Sequence, residues 1–491
     1  MDTLDFEHHL SSPQGEGHVP PDAFTVTVDG GECCDRMTFS VQTDGTHVTD
    51  AGFSAQGCGG THAAGSAAVT LVVGATVLDA ARIGADQISQ ELGGLSAAKR
   101  HAAALAADAL ARALGVAVRA CGSLRGPDTG RNSRTLVAMS GGVDSSVAAL
   151  LCARDGETVA VTLELWADPE SDPQRSCCSS SAVSEARALA HQMGIPHFTL
   201  DLRDEFREGV VRPFIDAYTA GETPNPCVRC NGNVRLDVML QMADRLGVGR
   251  LATGHYARVE QDAQSTRPVL RTALDQAKDQ TYMLAALDPE SLARMHFPLG
   301  EMTKPQVREI AQAAGLPVAS KHESQDLCFL AGTTRARFLA RHGAQPARDG
   351  EIVDADGTVL GRHPGHQLFT VGQRRGIQIS AAEPLYVLDK DAPLNRVVVG
   401  PRAALLCNRV SLRDVRLHRA SGHVDRVKLR YRSAPLPARV SGEHPAGSHG
   451  RLLLELGEPA AGVAPGQLAC LMDGELVVGW GTISRPTAER G

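Results

Sequence analysis

Met139-Ser140-Gly141-Gly142-Val143-Asp144-Ser145-Ser146 follows the apolar run Leu136-Val137-Ala138 and leads into Val147-Ala148-Ala149-Leu150-Leu151. The first run has the composition of a buried strand and the second that of a helix, so the octapeptide reads as a strand-to-helix turn. Two glycines let the backbone approach a ligand closely. Successive amides point at one anion, and the start of a helix favours negative charge. The stretch is a cradle for phosphate. It is not the G-x-x-x-x-G-K-[ST] loop, because neither that spacing nor its lysine is present. A glycine-rich turn before a core helix would explain the glycines, but not Asp144 and the serines around it.

S-G-G-x-D-S is instead the pattern of loops that hold pyrophosphate where ATP is split between its first and second phosphates and a substrate oxygen is adenylated. ATP with Mg2+ is therefore the expected cofactor. From Thr135 onward strands and helices alternate: T-V-A-V-T-L-E-L, the helix Ala182–Met193, I-P-H-F-T-L-D-L, then R-L-A-T-G-H. Such alternation predicts an α/β fold, a parallel sheet with ligands at the carboxyl ends of its strands. Beyond about Ala331 the pattern becomes short-stranded and rich in Gly and Pro, which predicts a small central domain and then a β-barrel.

At 491 residues the chain has room for about three or four domains. Its 43% hydrophobic and 21% charged content is an ordinary globular balance, which excludes a wholly disordered chain. No run approaches the ~18 apolar residues of a membrane span. The start, M-D-T-L-D-F-E-H-H-L, lacks the basic and apolar regions of a signal peptide. Twelve cysteines then point to reduced thiols, redox chemistry or metal. A cytoplasmic location and no membrane partner are expected. The net charge of −7 hides a local excess: Arg396 to Arg432 holds ten Lys or Arg against Asp414 and Asp425. That stretch is either a solvated face or a source of charge for binding nucleic-acid phosphates.

Cys227 and Cys230 lie in T-P-N-P-C-V-R-C-N, and Cys328 follows 98 positions after Cys230 in S-Q-D-L-C-F-L. The prolines impose an extended approach, and Asn231 with Gly232 suits a turn. C-x-x-C alone leaves a redox pair, two metal ligands or buried thiols open. Cys152 and Cys407 have apolar neighbours and read as core thiols; Cys177-Cys178 is ambiguous.

From about Thr135 to Ile483 the chain resembles the tRNA-specific 2-thiouridylases (the MnmA family). The matching blocks are M-S-G-G-V-D-S-S, G-E-T-P-N-P-C-V-R-C-N, A-T-G-H-Y-A-R, K-D-Q-T-Y-M-L, F-P-L-G-E-M-T-K-P-Q-V-R, S-Q-D-L-C-F, T-V-G-Q-R-R-G-I and Y-V-L-D-K. The resemblance implies a pyrophosphate-loop domain related to the adenine nucleotide alpha hydrolases, a central domain and a C-terminal β-barrel that binds tRNA. It implies replacement of O2 of the wobble uridine by sulfur after adenylation. By position, Cys230 is the nucleophile and Cys328 carries the sulfur as a persulfide, leaving a Cys230–Cys328 disulfide to be reduced. Ala138, Met139, Ser140, Gly141, Gly142, Val143, Asp144, Ser145, Leu163 and Gly254 would lie at the nucleotide. Leu163 stands where many members carry Met, a mild change for an apolar contact.

Asn225, Pro226 and Cys227 would meet the target base. Lys278, Asp279, Gln280, Arg430 and Tyr431 would contact tRNA, with His255 and Gln467 as further recognition positions. Read alone, His255 is as readily a core histidine. Many members carry Asp, assigned general acid/base work, where this chain has Cys227. The alternative is that Cys227, Cys230 and Cys328 hold an iron–sulfur cluster with one open iron.

Ala23 to about Val118 resembles the IscU/NifU iron–sulfur scaffold, a small α+β unit, through G-E-C-C-D-R-M, Q-G-C-G-G and K-R-H-A-A-A-L-A-A-D-A-L. The scaffold's ligand positions correspond to Cys33, Asp35, Cys58 and His101, but its third cysteine is replaced by Ala102. Two thiolates, a carboxylate and an imidazole still suit Zn2+. The implied partners are tRNA and a cysteine desulfurase or other sulfur-relay donor. The expected segments are a disordered tail at 1–22, the scaffold-like unit at 23–118, a linker at 119–134, the ATP domain at 135–331, the central domain at 332–402 and the barrel at 403–487. The other readings open are a different adenylating synthetase or an iron–sulfur carrier with no catalysis.

Overall fold

The computed structural model describes residues 3–30, 34–121, 134–168, 180–262, 266–321, 327–343 and 348–485, the side chains of Ser180 and Asn233 excepted. The chain divides into two units. One comprises Met1–Arg203, Asp237–His255 and Arg294–Phe329; the other comprises Asp204–Leu236, Tyr256–Ala293 and Leu330–Gly491.

In the first unit, alternating residues make Phe24–Asp29, Arg36–Thr43 and Val48–Gln56 an antiparallel sheet. Met37, Phe39 and Val41 share its buried face. Small residues let the helix Gly59–Val72 lie close to it: a Cβ on Gly65 would sit 2.4 Å from the Phe53 ring. The helix Arg100–Ala120 completes this layer. With the preceding turn it is the one helix among the described residues long and apolar enough to cross a membrane, yet it lies largely buried as a core helix.

Within the tail expected to be disordered, Thr3–Ser11 form a helix. Phe6 and His9, one turn apart, are buried, and His9 Nδ1 lies 2.8 Å from Ser66 Oγ. The Ser/Gly/Pro content of the next residues had suggested disorder, but an apolar residue and a partnered histidine anchor the segment.

The same unit holds a parallel sheet, ordered Met295–His296, Arg250–Thr253, Arg134–Ala138, Glu157–Glu164, His197–Asp201. From Arg134–Ala138 the chain adds two strands to one side and then returns to the other. The crevice beside that first strand is therefore the switch point where such sheets bind ligands. The edge strand His197–Asp201 is covered by the N-terminal domain. His197 N donates to Ala81 O at 2.9 Å, Arg82 Nε to Gly194 O at 3.2 Å, and Arg245 Nη1 to Val118 O at 3.3 Å. The two domains are packed against each other as well as joined through residues 122–133, which lie outside the described residues.

In the second unit, six strands close into a barrel: Leu406–Leu417, Gly447–Ala461, Leu436–Val440, Arg426–Lys428, Leu468–Asp473 and Leu476–Ile483, the last pairing back to the first. Leu412, Val427, Leu454, Leu471 and Val478 fill its interior. The hairpin Arg258–Gln261/Pro268–Arg271 extends this sheet through Leu270 opposite Val477. It lies within the segment assigned from sequence to the ATP domain, but its hydrogen bonds join it to the barrel. Four shorter strands, Gly350–Val353, Val359–His363, Tyr386–Asp391 and Arg396–Gly400, form the central domain around Ile352, Val387, Val397 and Val399.

Candidate active site and N-terminal ligand cluster

The turn after Arg134–Ala138 has the form a phosphate cradle needs. Gly141 has a φ of 67°, and a Cβ there would lie 3.0 Å from Ala182 O, so only glycine suits it. Gly142 caps the helix Val143–Asp155. Ser145 Oγ accepts from Ser140 N at 3.1 Å and lies 3.2 Å from Gly142 O, closing the loop on itself. Gly254, at the end of the adjacent strand, is pressed against the helix start: a Cβ would meet Ser145 N at 2.7 Å. Leu163 is buried near the end of Glu157–Glu164. Ala138, Met139, Ser140, Val143, Asp144 and Ser145 all belong to this one strand end and helix start.

Two lysines reach the loop. Lys304 Nζ donates to both carboxylate oxygens of Asp144, and Lys321 Nζ donates to Gly141 O at 3.1 Å and to Glu185 at 2.6 Å. Sequence reasoning assigned neither. Lys304 did leave a signal: it opens a helix in T-K-P-Q, where the macrodipole disfavours a cation, so a nearby anion was called for. His255 follows Gly254, its Nδ1 2.8 Å from Thr253 Oγ1 and its ring edge-on to Phe297. Cys328 opens a single turn, Cys328–Leu330, and is partly buried; Phe329 beside it packs on Trp166.

In the second unit, Asn225 accepts from Cys227 N at 3.1 Å and Val228 N at 3.3 Å, which starts the helix Pro226–Cys230. The turn expected at Asn231-Gly232 does not form. The chain continues as a widened helical turn, Asn231–Arg235, with Asn231 Nδ2 donating to Met283 O at 3.2 Å. That side-chain bond replaces the turn its sequence suggested. Cys227 and Cys230 are three residues apart on one helical face, with Cys230 the more buried. Gln467 Nε2 donates to Thr223 O at 2.7 Å, two residues before Asn225.

The other tRNA candidates gather in this unit but differ in exposure. Asp279 is buried, accepting from Ala273 N at 3.1 Å and Lys428 Nζ at 3.1 Å, so its side chain anchors the segment. Gln280 Oε1 accepts from Tyr256 N at 3.0 Å, and the Tyr431 ring lies 6.5 Å from that of Tyr282. Lys278 is half-exposed and Arg430 exposed. Much of the basic surplus is neutralised internally: Arg419 pairs with Asp262 and Asp473, Lys428 with Asp279, Arg413 with Glu222 and Arg396 with Glu351. Among the described residues, no carboxylate pairs with Arg402, Arg416, Arg430 or Arg432.

The N-terminal domain brings three of its four expected ligands together; Cys33 lies outside the described residues. One ligand atom from each of Asp35, Cys58 and His101 lies within 4.8 Å of the others. His101 Nε2 is 3.4 Å from Asp35 Oδ2 and 3.9 Å from Cys58 Sγ. A tetrahedral Zn2+ with ligands about 2.0 to 2.3 Å away holds them about 3.3 to 3.6 Å apart, so the set fits the ion with little movement. His101 Nδ1 is 2.9 Å from Ala98 O, which fixes its proton there and leaves Nε2 facing the cluster. Burial opposes ionisation of Cys58, but hydrogen bonds from Thr61, Gly60 and His101 outweigh it and hold the thiol below its usual range. Gly57 allows the approach: a Cβ would lie 2.5 Å from Asp35 Cγ. Ala102 is buried beside the cluster, its Cβ 3.6 Å from where a Cβ on Gly60 would lie.

Family models match along the chain: the NifU-like N terminal domain over residues 5–117, the tRNA methyl transferase HUP domain over 133–332, the tRNA methyl transferase PRC-barrel domain over 336–401 and the Aminomethyltransferase beta-barrel domain over 416–483. A protein of Rubrobacter xylanophilus named Bifunctional protein NifU/MnmA is 42% identical over 493 residues, covering 98% of each chain. The chain belongs to the MnmA family, in its NifU-fused form. The tRNA-specific 2-thiouridylase MnmA of Methylorubrum populi is 44% identical over 74% of this chain and 96% of its own. That of Geobacter metallireducens is 41% identical over 72% and 98%. These two MnmA relatives thus match nearly whole, leaving about a quarter of this chain outside them.

Proposed function

We propose that the chain is an ATP-dependent tRNA uridine 2-sulfurtransferase. The observation that carries this reading is the S-G-G-V-D-S loop at the switch point of a parallel sheet, in a member of the MnmA family. A urea-like carbonyl is a poor electrophile and its oxygen a poor leaving group. Adenylation of O2 by ATP repairs both, releasing pyrophosphate to the amides of the loop; Mg2+ bound with the phosphates supplies further positive charge. Leu163 and Gly254 would line the nucleotide, and Asn225 and Pro226 the target base.

In this reading Cys328 bears a persulfide whose terminal sulfur attacks C2 and displaces AMP. Cys230 thiolate then attacks Cys328 Sγ, freeing the thiocarbonyl and forming a disulfide that an external thiol reductant must reduce. The helical spacing of Cys227 and Cys230 favours a second reading, in which these and Cys328 ligate an iron–sulfur cluster. Asp35, Cys58 and His101, with Cys33, would hold Zn2+, and the domain would dock the sulfur donor, a cysteine desulfurase by class.

Anaerobic purification with iron, sulfide and zinc analysis tests both, alongside 2-thiouridine formation by Cys227→Ala, Cys230→Ala and Cys328→Ala. The persulfide route expects no iron and activity lost with Cys230→Ala and Cys328→Ala but retained with Cys227→Ala. Iron and acid-labile sulfide lost with Cys227→Ala would replace it by the cluster. Thiolation without ATP would overturn the whole reading.

A further inference from the structure

Four charged side chains form one ion-pair network between the N-terminal domain and the parallel sheet, apart from the phosphate cradle. Arg112, on the helix Arg100–Ala120, donates to Glu164, the last residue of the strand Glu157–Glu164. Arg112 also donates to Asp108 one turn earlier at 2.8 Å, and Asp108 accepts from Arg187 of the helix Ser180–Gln192. Side-chain exposures are 7% for Glu164, 13% for Arg112, 15% for Asp108 and 5% for Arg187, so water screens these pairs poorly. Each domain contributes one cation and one anion, and the charges alternate to a sum of zero. Burial opposes ionisation of Asp108, but Arg187 and Arg112 hold its carboxyl below the usual range.

Glu164 is where this network meets the chemistry. It directly follows Leu163, and its carbonyl accepts from Leu202 N at 2.9 Å, which ties this strand end to its neighbour. A buried carboxylate deprived of its cation draws in water or a proton, and either disturbs the backbone that carries it. Among the described residues, the cation bonded to Glu164 is Arg112, and it comes from the other domain; Arg203, beyond ion-pair distance, acts on Glu164 only through its longer-range field.

We propose that Arg112 is a positioning residue for the thiolation reaction: through Glu164 it fixes the strand end that lines the nucleotide. The N-terminal domain thus shapes ATP binding by direct packing, independently of any metal or sulfur it carries. The inference rests on the nucleotide reading given above.

The test uses the full chain, with thiolation rates measured against ATP concentration and the melting temperature of each variant recorded. Arg112→Met should raise KM for ATP about tenfold while kcat changes less than about threefold. Arg112→Lys should recover part of the loss, because one ammonium replaces the guanidinium fork. Adding Glu164→Gln to Arg112→Met removes the stranded charge and should return KM to within about threefold of the native value. A merely structural contact would lower the melting temperature or kcat and leave KM unmoved, in the single and double variants alike, and that result overturns the proposal. Should Arg112→Met fail to fold, Arg112→Lys and the double variant give the same reading. A native chain without saturable dependence on ATP would sink the nucleotide reading instead.

Discussion

Lys304 donates to both oxygens of the Asp144 carboxylate, at 2.7 and 2.8 Å, from a helix 160 residues further along the chain. Asp144 sits in the first turn of the helix that would face pyrophosphate, where its charge suits the macrodipole but repels a bound anion. Lys304 offsets that repulsion and is itself nearly buried. Lys304→Met should therefore lower kcat/KM for ATP by about 100-fold, the scale of losing one preorganised charge contact. Steady-state kinetics check this; an unchanged KM and kcat would show that Asp144 needs no counter-charge.

The pairing within the barrel separates two kinds of arginine. Among the described residues no carboxylate pairs with Arg430 or Arg432, and Arg432 lies over the Tyr431 ring at 5.9 Å. Replacing both by Gln should weaken tRNA binding and reduce the slope of log affinity against log salt by about 1 to 2. Arg419→Gln should instead lower the melting temperature and leave the salt slope unchanged, since Arg419 is committed to Asp262 and Asp473. Filter binding at several salt concentrations distinguishes them, and equal slopes for all variants would remove Arg430 and Arg432 from the RNA interface.

Lys390 gives a pH signature. Its Nζ donates to Glu222 O at 3.2 Å and lies 5.3 Å from the Tyr218 ring centre. Burial, with Arg335 and Arg485 close by, brings its pKa down from 10.5 to about 7 against the pull of Asp389 and Glu222. Between those values the unfolded chain binds one proton more than the folded one, so stability rises with pH across the window and is lower on the acid side. Lys390→Met abolishes that dependence. The native melting temperature should gain on the variant's as pH goes from about 7 to about 10. A constant difference across that range would show that Lys390 does not titrate there.

How far sequence carried the reading depended on the range of the interaction. The cradle at Met139–Ser146 was legible because strand, glycines and helix start are contiguous. Asp35, Cys58 and His101 were legible through short blocks, although only the fold brings them together. The place of the hairpin Arg258–Arg271 was not, because Leu270 meets Val477 more than two hundred residues away and periodicity has no such reach. Composition likewise counted the positive charges of the barrel without showing that Asp262, Asp279 and Glu222 neutralise many of them. The helix Thr3–Ser11 was hidden by the polar residues after it, and the domain contact through Arg112 by its dependence on a strand end in another domain.

Gly115 tests that domain contact most simply. In an exposed helix interior, Gly→Ala stabilises by about 1 kcal/mol. At this position a Cβ would lie 2.0 Å from Thr199 O and 3.4 Å from Leu200 Cδ2, and the carbonyl belongs to an edge strand whose backbone cannot swing aside as a side chain does. Gly115→Ala should therefore destabilise by about 2 kcal/mol, the cost of overpacking a fixed interface. The readouts are a melting temperature lower by several degrees and faster amide exchange in His197–Asp201. A higher melting temperature would mean that helix Arg100–Ala120 does not lie on this strand in solution. Arg112 would then have no route to Glu164, so this substitution also decides whether the N-terminal domain can act on the nucleotide site through packing.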